Sequence, residues 1–262
     1  MNVAIVFGLM FCLLALDLST GQFRNPQASS KRELSINMLS QILTSSVRAL
    51  LLVALAWPIA RFLSQRKGVL AHVSVWLMFF VILMIDDYLN YWLHRMAHQW
   101  PLLWRLHKPH HTPTYLNVLM AGRENTFYYF LVPALWMAPI LIYLGAGTAS
   151  ALVFGFKGVV TPLQHTGYRW DLWLRRYRAG RLLDIVEKVV VLQDFHHAHH
   201  GIGRYGNASS NYGNILCIWD VLHGTTVQRQ PQRQDAWPGR VAGRRMVNSK
   251  RPGKTGSFST PR

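Results

Sequence analysis

Ten of the twelve histidines of this chain fall in three short clusters and one lone position: His94-Arg-Met-Ala-His98, His107-Lys-Pro-His110-His111, His196-His197-Ala-His199-His200, and His165. Neutral imidazole is the commonest metal ligand among side chains, and spacings of three and four residues set ring nitrogens on one face of a helix. Nine or ten candidate nitrogens are too many for one ion, so two metals with four to six ligands each account for the number. The His94/His98 spacing also matches the zinc-protease helix. That chemistry needs a Glu directly after the first histidine as general base, and Arg95 stands there, which argues against hydrolysis by this route. An isolated HxxxH says little. The repeated H-x-x-H-H at 107–111 and 196–200, with an HxxxH upstream, is a specific signal.

The elements that must hold these rings are apolar. Half of the residues are hydrophobic, and apolar runs lie at about 3–16, 38–60, 69–92, 127–144 and 148–163, which reads as an integral membrane protein. The first run is short, has no basic residue before it and lacks a small-residue cleavage site after it. It is a poor signal peptide and a candidate extra span. Ser45, Ser46 and Arg48 weaken the second run, and Lys157 interrupts the last, where its side chain is expected to snorkel toward the His165 end. If the clusters at 94–111 and 165–200 bind the same metals, the chain between them crosses the membrane an even number of times. Residues 127–163, turning at Gly145-Ala-Gly147, supply two crossings or a shallow re-entrant hairpin.

Charge then orients the chain. The histidine side carries Arg95, Arg105, Lys108, Arg123, Arg169, Arg175, Arg176, Arg178 and Arg181, and the positive-inside tendency makes it cytoplasmic, although Arg61, Arg66 and Lys67 fall on the other side. Residues 226–262 hold nine basic residues against Asp235, without apolar periodicity, and read as a disordered basic tail. Beside a membrane such a tail is drawn to anionic headgroups, so no nucleic-acid partner is expected. Cys12 and Cys217 lie far apart in apolar surroundings and read as core residues rather than a disulfide or a ligand pair.

Three further stretches surround the histidines: Asp87-Tyr-Leu-Asn-Tyr-Trp-Leu-His-Arg-Met-Ala-His98, Leu103-Trp-Arg-Leu-His-Lys-Pro-His-His111, and Asn211-Tyr-Gly-Asn-Ile-Leu-Cys-Ile-Trp-Asp-Val-Leu-His-Gly-Thr225. With the boxes they make residues 70–226 resemble the fatty acid hydroxylase/sterol desaturase superfamily of integral-membrane polyhistidine di-iron oxidoreductases. The resemblance implies metal ligation by His94, His98, His107, His110, His111, His165, His196, His199 and His200. His197 sits at a variable position of the third box and is expected to be a solvent-facing or outer-sphere residue, while His72 and His223 read as structural. Asp87, seven residues before His94 on nearly the same helical stripe, is a candidate acceptor for a ligand's second N–H. Tyr91, Trp92, Trp100 and Trp104 suit a membrane-interface belt or substrate contact.

The resemblance implies two iron ions with O2 as co-substrate, because O2 chemistry needs a redox metal; zinc, which fits imidazole, is expected as a replacement in purified protein. An all-imidazole site leaves the metals strongly cationic, unlike soluble di-iron bundles with paired Glu-x-x-His helices. The implied activity is hydroxylation or desaturation of a membrane lipid. Electrons would come from an external donor, a ferredoxin or a b-type cytochrome with its reductase, since the chain has no Gly-x-Gly-x-x-Gly fingerprint and no cysteine cluster. Two departures from the family pattern stand out: Arg123-Glu124-Asn-Thr-Phe replaces an Arg followed later by Pro-Leu-Glu, and His223 stands where a Phe is usual.

The expected architecture is an all-α membrane protein, a four- or five-helix transmembrane anchor under a cytoplasmic helical cap that holds a His-rich di-metal site. Its expected parts are an N-terminal anchor at 1–68, a catalytic region at 69–226 and the tail at 227–262. The expected location is a bacterial inner membrane or the endoplasmic reticulum. Two alternatives compete: a metal-binding or transport protein, which should place its ligands inside the spans rather than at their ends, and a catalytically silent family member that binds lipid.

Overall fold

The computed structural model describes residues 3–177, 179–201 and 206–226. Among them the only strand-like pairing is an isolated bridge between Val190 and Leu216; the rest of the regular structure is helical. The expected tail at 227–262 lies outside the described residues.

Helix α1 is Val3–Ser19 and α2 is Lys31–Phe62. Helix α2 starts where the Ser30 side chain accepts from the Glu33 N–H (3.2 Å), a Ser-x-x-Glu start signal that lies ahead of the apolar run at 38–60. It runs unbroken through Ser45, Ser46 and Arg48. The arginine is tolerated because its Nε donates to the Tyr129 hydroxyl (2.8 Å) and its guanidinium lies over the Tyr129 and Phe154 rings. Helix α3 is Val75–Gln99, and α4, Pro101–His111, follows at once, with Pro101 at its first position where no N–H is needed. After a 3₁₀ turn at Val118–Gly122 come α5, Thr126–Tyr129, and α6, Pro133–Leu141. A π turn, Ile142–Ala146, leads to α7, Gly147–His165. The remainder is short: α8, Trp170–Arg176; α9, Gly180–Val186; α10, Gln193–His199; and α11, Ile218–Leu222.

Three segments are long and apolar enough to cross a membrane: Lys31–Phe62, Val75–Gln99 and Pro133–His165. Their outward faces are apolar, with Val53, Trp57, Phe62, Trp76 and Phe80 exposed, as suits a bilayer rather than water. The third is not a straight rod. Gly145 adopts φ 98°, a left-handed value that favours glycine, and a Cβ there would meet the Ala71 backbone nitrogen at 2.9 Å. Ala134, Ala138 and Leu141 of α6 line one crevice with Ser150, Val153 and Phe154 of α7, so the chain folds back on itself at Gly145. The first arm begins at Pro133 rather than 127. Its nine-residue helix and five-residue π turn reach about 21 Å at ~1.5 Å per residue, short of the ~30 Å hydrocarbon layer.

One end of this bundle carries the clustered histidines. The bend at Gly145 lies at the other end, where the Gly68 and Leu70 N–H groups donate to Tyr143 and Leu144 carbonyls. Between the ends, Ile82 and Leu83 of α3 pack on the small face Ala146, Ala149 and Val153 of α7, with Ile215 and Leu216 completing the cluster. Lys157 does not snorkel as expected. Its ammonium pairs with buried Asp86 at 2.5 Å, and Asn90 donates to the same carboxylate (3.0 Å), so the charge is neutralised in place. Cys217 is buried, whereas Cys12 is exposed on α1 rather than in a core.

Candidate metal centre

The nine histidines expected as ligands gather in two adjoining pockets. His94, His98, His107, His111 and His199 form one, and His110, His165, His196 and His200 form the other; within each pocket one ligand-type nitrogen per residue lies within 4.8 Å of all the others. His197, His72 and His223 belong to neither.

Helical geometry explains the partition. Within each box the i, i+4 pair shares a pocket: His107 Nε2 lies 3.2 Å from His111 Nε2, and His196 Nε2 lies 3.1 Å from His200 Nε2. The i+3 residue turns to the other pocket, so each His-His doublet sends one ring each way: His110 and His111, then His199 and His200. The lone His165, at the last residue of α7, closes the second pocket, with Nε2 2.9 Å from His196 Nε2 and 3.4 Å from His110 Nε2. Two nitrogens each bound to one ion at ~2.1 Å stand ~3.0 to ~3.4 Å apart for right-angle or tetrahedral arrangements. The rings are therefore spaced as co-ligands are. Nε2 of His94, His98 and His199 is buried without any hydrogen-bond partner, as expected of atoms aimed at a cation.

The opposite nitrogens are held by backbone. His94 Nδ1 pairs with the Tyr212 carbonyl (2.8 Å), His110 Nδ1 with Arg123 (3.1 Å), His165 Nδ1 with Thr161 (2.8 Å) and His199 Nδ1 with Ser210 (2.7 Å). A carbonyl can only accept, so these nitrogens carry the proton and Nε2 is left with its lone pair. Burial also holds the pKa of His107, His110, His111, His196, His199 and His200 well below the usual imidazole value, and neighbouring histidines add to the shift. Neutral, oriented imidazole is the form that binds metal.

Asp87 does not accept from a histidine. Seven residues of helix place it ~10 Å along the axis from His94, out of reach despite the shared stripe. Its carboxylate accepts instead from the Ile215 N–H (3.0 Å), the Leu216 N–H (2.9 Å) and Trp219 Nε1 (3.0 Å), pinning the 211–225 segment against α3. Asp220 completes that brace by accepting from the Tyr212 and Gly213 N–H groups at 2.7 and 2.6 Å, which fixes the carbonyl that holds His94. Gly213 is required there, since a Cβ would lie 2.6 Å from the Leu216 oxygen.

Tyr91 is fully buried rather than interfacial; its ring stacks on His223 and its hydroxyl meets Thr225 (3.0 Å). Trp104 stands over His98 and His111, and Trp100 is exposed at the rim. His197 is buried behind the second pocket, hydrogen-bonded to the Gln164 backbone, rather than facing solvent.

One residue that the spacing of the boxes does not reveal is Glu124. Its Oε2 lies 3.7 Å from His107 Nδ1 and its Oε1 3.9 Å from His110 Nδ1. Both Glu124 Oε2 and His107 Nδ1 are buried without a hydrogen-bond partner, and burial pushes this carboxyl up to about 8. The departure at Arg123-Glu124 thus lies against the centre itself, and that departure was the sequence signal for it.

The fatty acid hydroxylase family model matches residues 79–225. The chain is 28% identical to human alkylglycerol monooxygenase over 53% of this chain and 28% of that protein. It is 34% identical to an ornithine lipid hydroxylase of Rhizobium tropici over 55% of this chain and 40% of that one. To a Delta(7)-sterol 5(6)-desaturase of Aspergillus fumigatus it is 28% identical over 56% of this chain and 38% of the relative. In each case the chain spans less than half of the relative's length. No solved structure matches.

Proposed function

The chain belongs to the fatty acid hydroxylase family, and from that premise we propose that it is a membrane-bound oxidoreductase that hydroxylates or desaturates a lipid at a polyhistidine di-iron centre, using O2 and an external electron donor. The observation that carries the proposal is the convergence of nine imidazoles into a five-donor and a four-donor pocket. The relatives, an alkylglycerol monooxygenase, an ornithine lipid hydroxylase and a sterol desaturase, support the reaction class.

His94, His98, His107, His111 and His199 would hold one metal, and His110, His165, His196 and His200 the other. Iron held there would supply the redox capacity to reduce O2 and to break an unactivated C–H bond. The carbonyls of Tyr212, Arg123, Thr161 and Ser210 fix ring orientation, so little rearrangement is needed on metal binding. His94, His98 and His111 keep some exposure, which makes the five-donor pocket the side an outside molecule can approach. Trp100, Leu102 and Phe127, close in sequence to the first two boxes and exposed, are apolar residues that would suit a lipid chain.

The same reading makes 69–226 the catalytic region, 1–68 an anchor and 227–262 a basic tail near anionic headgroups. It puts the histidine end on the cytoplasmic side of a bacterial inner membrane or the endoplasmic reticulum, within reach of a ferredoxin or b-type cytochrome donor. Elemental analysis of protein purified in mild detergent should give close to two metals per chain, with zinc replacing iron in overexpressed material. Fewer than one would sink the di-metal reading. Lipid mass spectrometry of cells with and without the gene should reveal a product gaining one oxygen or losing two hydrogens, and unchanged lipids would refute the activity.

A further inference from the structure

Two acidic side chains of the N-terminal helices brace segments that carry histidines of the four-histidine pocket, although both lie outside the family-matched residues 79–225. Asp17, near the end of α1, is fully buried. It accepts from the Thr166 hydroxyl (2.5 Å), the Gly167 N–H (3.1 Å), the Tyr168 N–H (3.1 Å) and the Val118 N–H (2.8 Å). Three of those donors belong to the turn that starts one residue after His165. A buried carboxylate is costly unless donors meet it, and buried N–H groups outside helices are equally costly unless accepted. Each therefore requires the other, and the turn after His165 is fixed to α1.

Helix α2 makes the second connection. Arg123 is buried, and its Nη1 donates to Glu33 (2.7 Å) and to Asn37 Oδ1 (2.9 Å), while the Tyr115 hydroxyl donates to the same Glu33 oxygen (3.2 Å). Arg123 Nε donates to the Pro109 carbonyl (2.8 Å), and the Arg123 carbonyl is the acceptor for His110 Nδ1. The residue before His110 and the acceptor that sets its ring both depend on a guanidinium clamped by α2. The ties of α2 to the five-histidine pocket are less direct: Pro109 lies between His107 and His111, Glu124 beside Arg123 stands 3.7 Å from His107 Nδ1, and Arg48 holds Tyr129 next to the ring of Tyr128 that lies against His107, while His94 and His199 rest on Tyr212 and Ser210.

We propose that α1 and α2 are part of the metal centre rather than membrane anchors alone: Asp17 and the Glu33–Asn37–Arg123 clamp are positioning residues that act first on the four-histidine pocket and only less directly, through Pro109 and Glu124, on the five-histidine pocket. This rests on the di-metal reading. Metal–nitrogen bonds of ~2 Å tolerate little drift, and loss of a supporting partner typically costs ~10–100-fold in metal affinity.

The test compares the full-length wild-type chain with Asp17→Ala, Asp17→Asn and Glu33→Gln in detergent. Each is loaded with iron(II) without oxygen, dialysed against graded chelator and read by metal content and Mössbauer spectroscopy. Wild type should hold two irons. Asp17→Ala and Glu33→Gln should release one at ~10–100-fold lower chelator and hold the other at a chelator concentration closer to that of wild type, with Asp17→Asn intermediate. In a His200→Ala background, already lacking the four-histidine metal, Asp17→Ala should remove nothing further. Fewer than two irons in wild type would overturn the di-metal reading and this inference together. Two irons in wild type with both retained normally in Glu33→Gln and the Asp17 variants, or both lost in parallel, would overturn this inference alone. Should Asp17→Ala fail to fold, Asp17→Asn and Glu33→Gln decide the matter.

Discussion

The two histidine pockets share a wall, His111 stacked on His200 with ring centroids 4.5 Å apart, yet their surroundings differ. All four rings of the second are buried, while three of the five in the first keep some exposure. The first is bordered by aromatic rings, Trp104 and Tyr212, with an apolar rim. The second is backed by hydrogen-bonded buttresses that run to Asp17 and Glu33. Similar donor sets in unlike settings indicate a division of labour on the proposed reading, because closed metal sites suit structure and storage whereas open ones suit reaction.

The sharpest way to break that division is to remove one ring from each side. His200→Ala leaves three donors in the sealed pocket and should lose that metal, with product falling by more than ~100-fold, beyond the ~10–100-fold that outer partners cost. His98→Ala leaves four donors in the open pocket and should retain two metals per chain while product formation still collapses. Metal content and product assays on the same preparations check both. Equal metal loss from the two variants would erase the distinction.

Glu124→Gln sharpens the comparison at lower cost. The carboxylate reaches toward one histidine of each pocket, but His110 Nδ1 already has the Arg123 carbonyl while His107 Nδ1 has no other acceptor. The variant should weaken metal binding ~10-fold, chiefly in the five-histidine pocket, as read by chelator competition. Equal weakening of both metals would mean that Glu124 acts through overall charge.

The convergence of the histidines was legible because a helix converts spacing into direction, and the boxes sit on or beside helices. Which pocket each ring joins was not legible, since His110 and His199 take sides only when α7 and α10 approach. Asp87 shows the limit of stripe arguments: rotation about the axis put it near His94, and rise along the axis put it out of reach. Lys157 was read as snorkelling because its partner, Asp86, is 71 residues away. Asp17 meets Thr166 across 149 residues, a pairing no local pattern encodes. The start of α6 at Pro133 differs from the run counted from 127, although proline at a first helical turn is a local signal for it.

The smallest effect should come from His197, the one box histidine in neither pocket. It is buried, and burial with the nearby Arg169 cation holds its pKa down to about 3. The folded ring thus stays neutral through a range in which the unfolded chain's imidazole, near 6.5, takes up a proton. Between those values the unfolded state binds more protons, so stability falls as pH falls, by at most ~1.4 kcal/mol per pH unit for one histidine. Asparagine keeps a polar group at the Gln164 backbone and does not titrate. His197→Asn should therefore hold both metals, keep product within ~10-fold of wild type, and show a thermal midpoint that falls less steeply than wild type from pH 6.5 to 5. Parallel pH curves would show that this ring is charged in the folded protein, and loss of a metal would place His197 among the ligands, breaking the five-and-four partition on which the comparison rests.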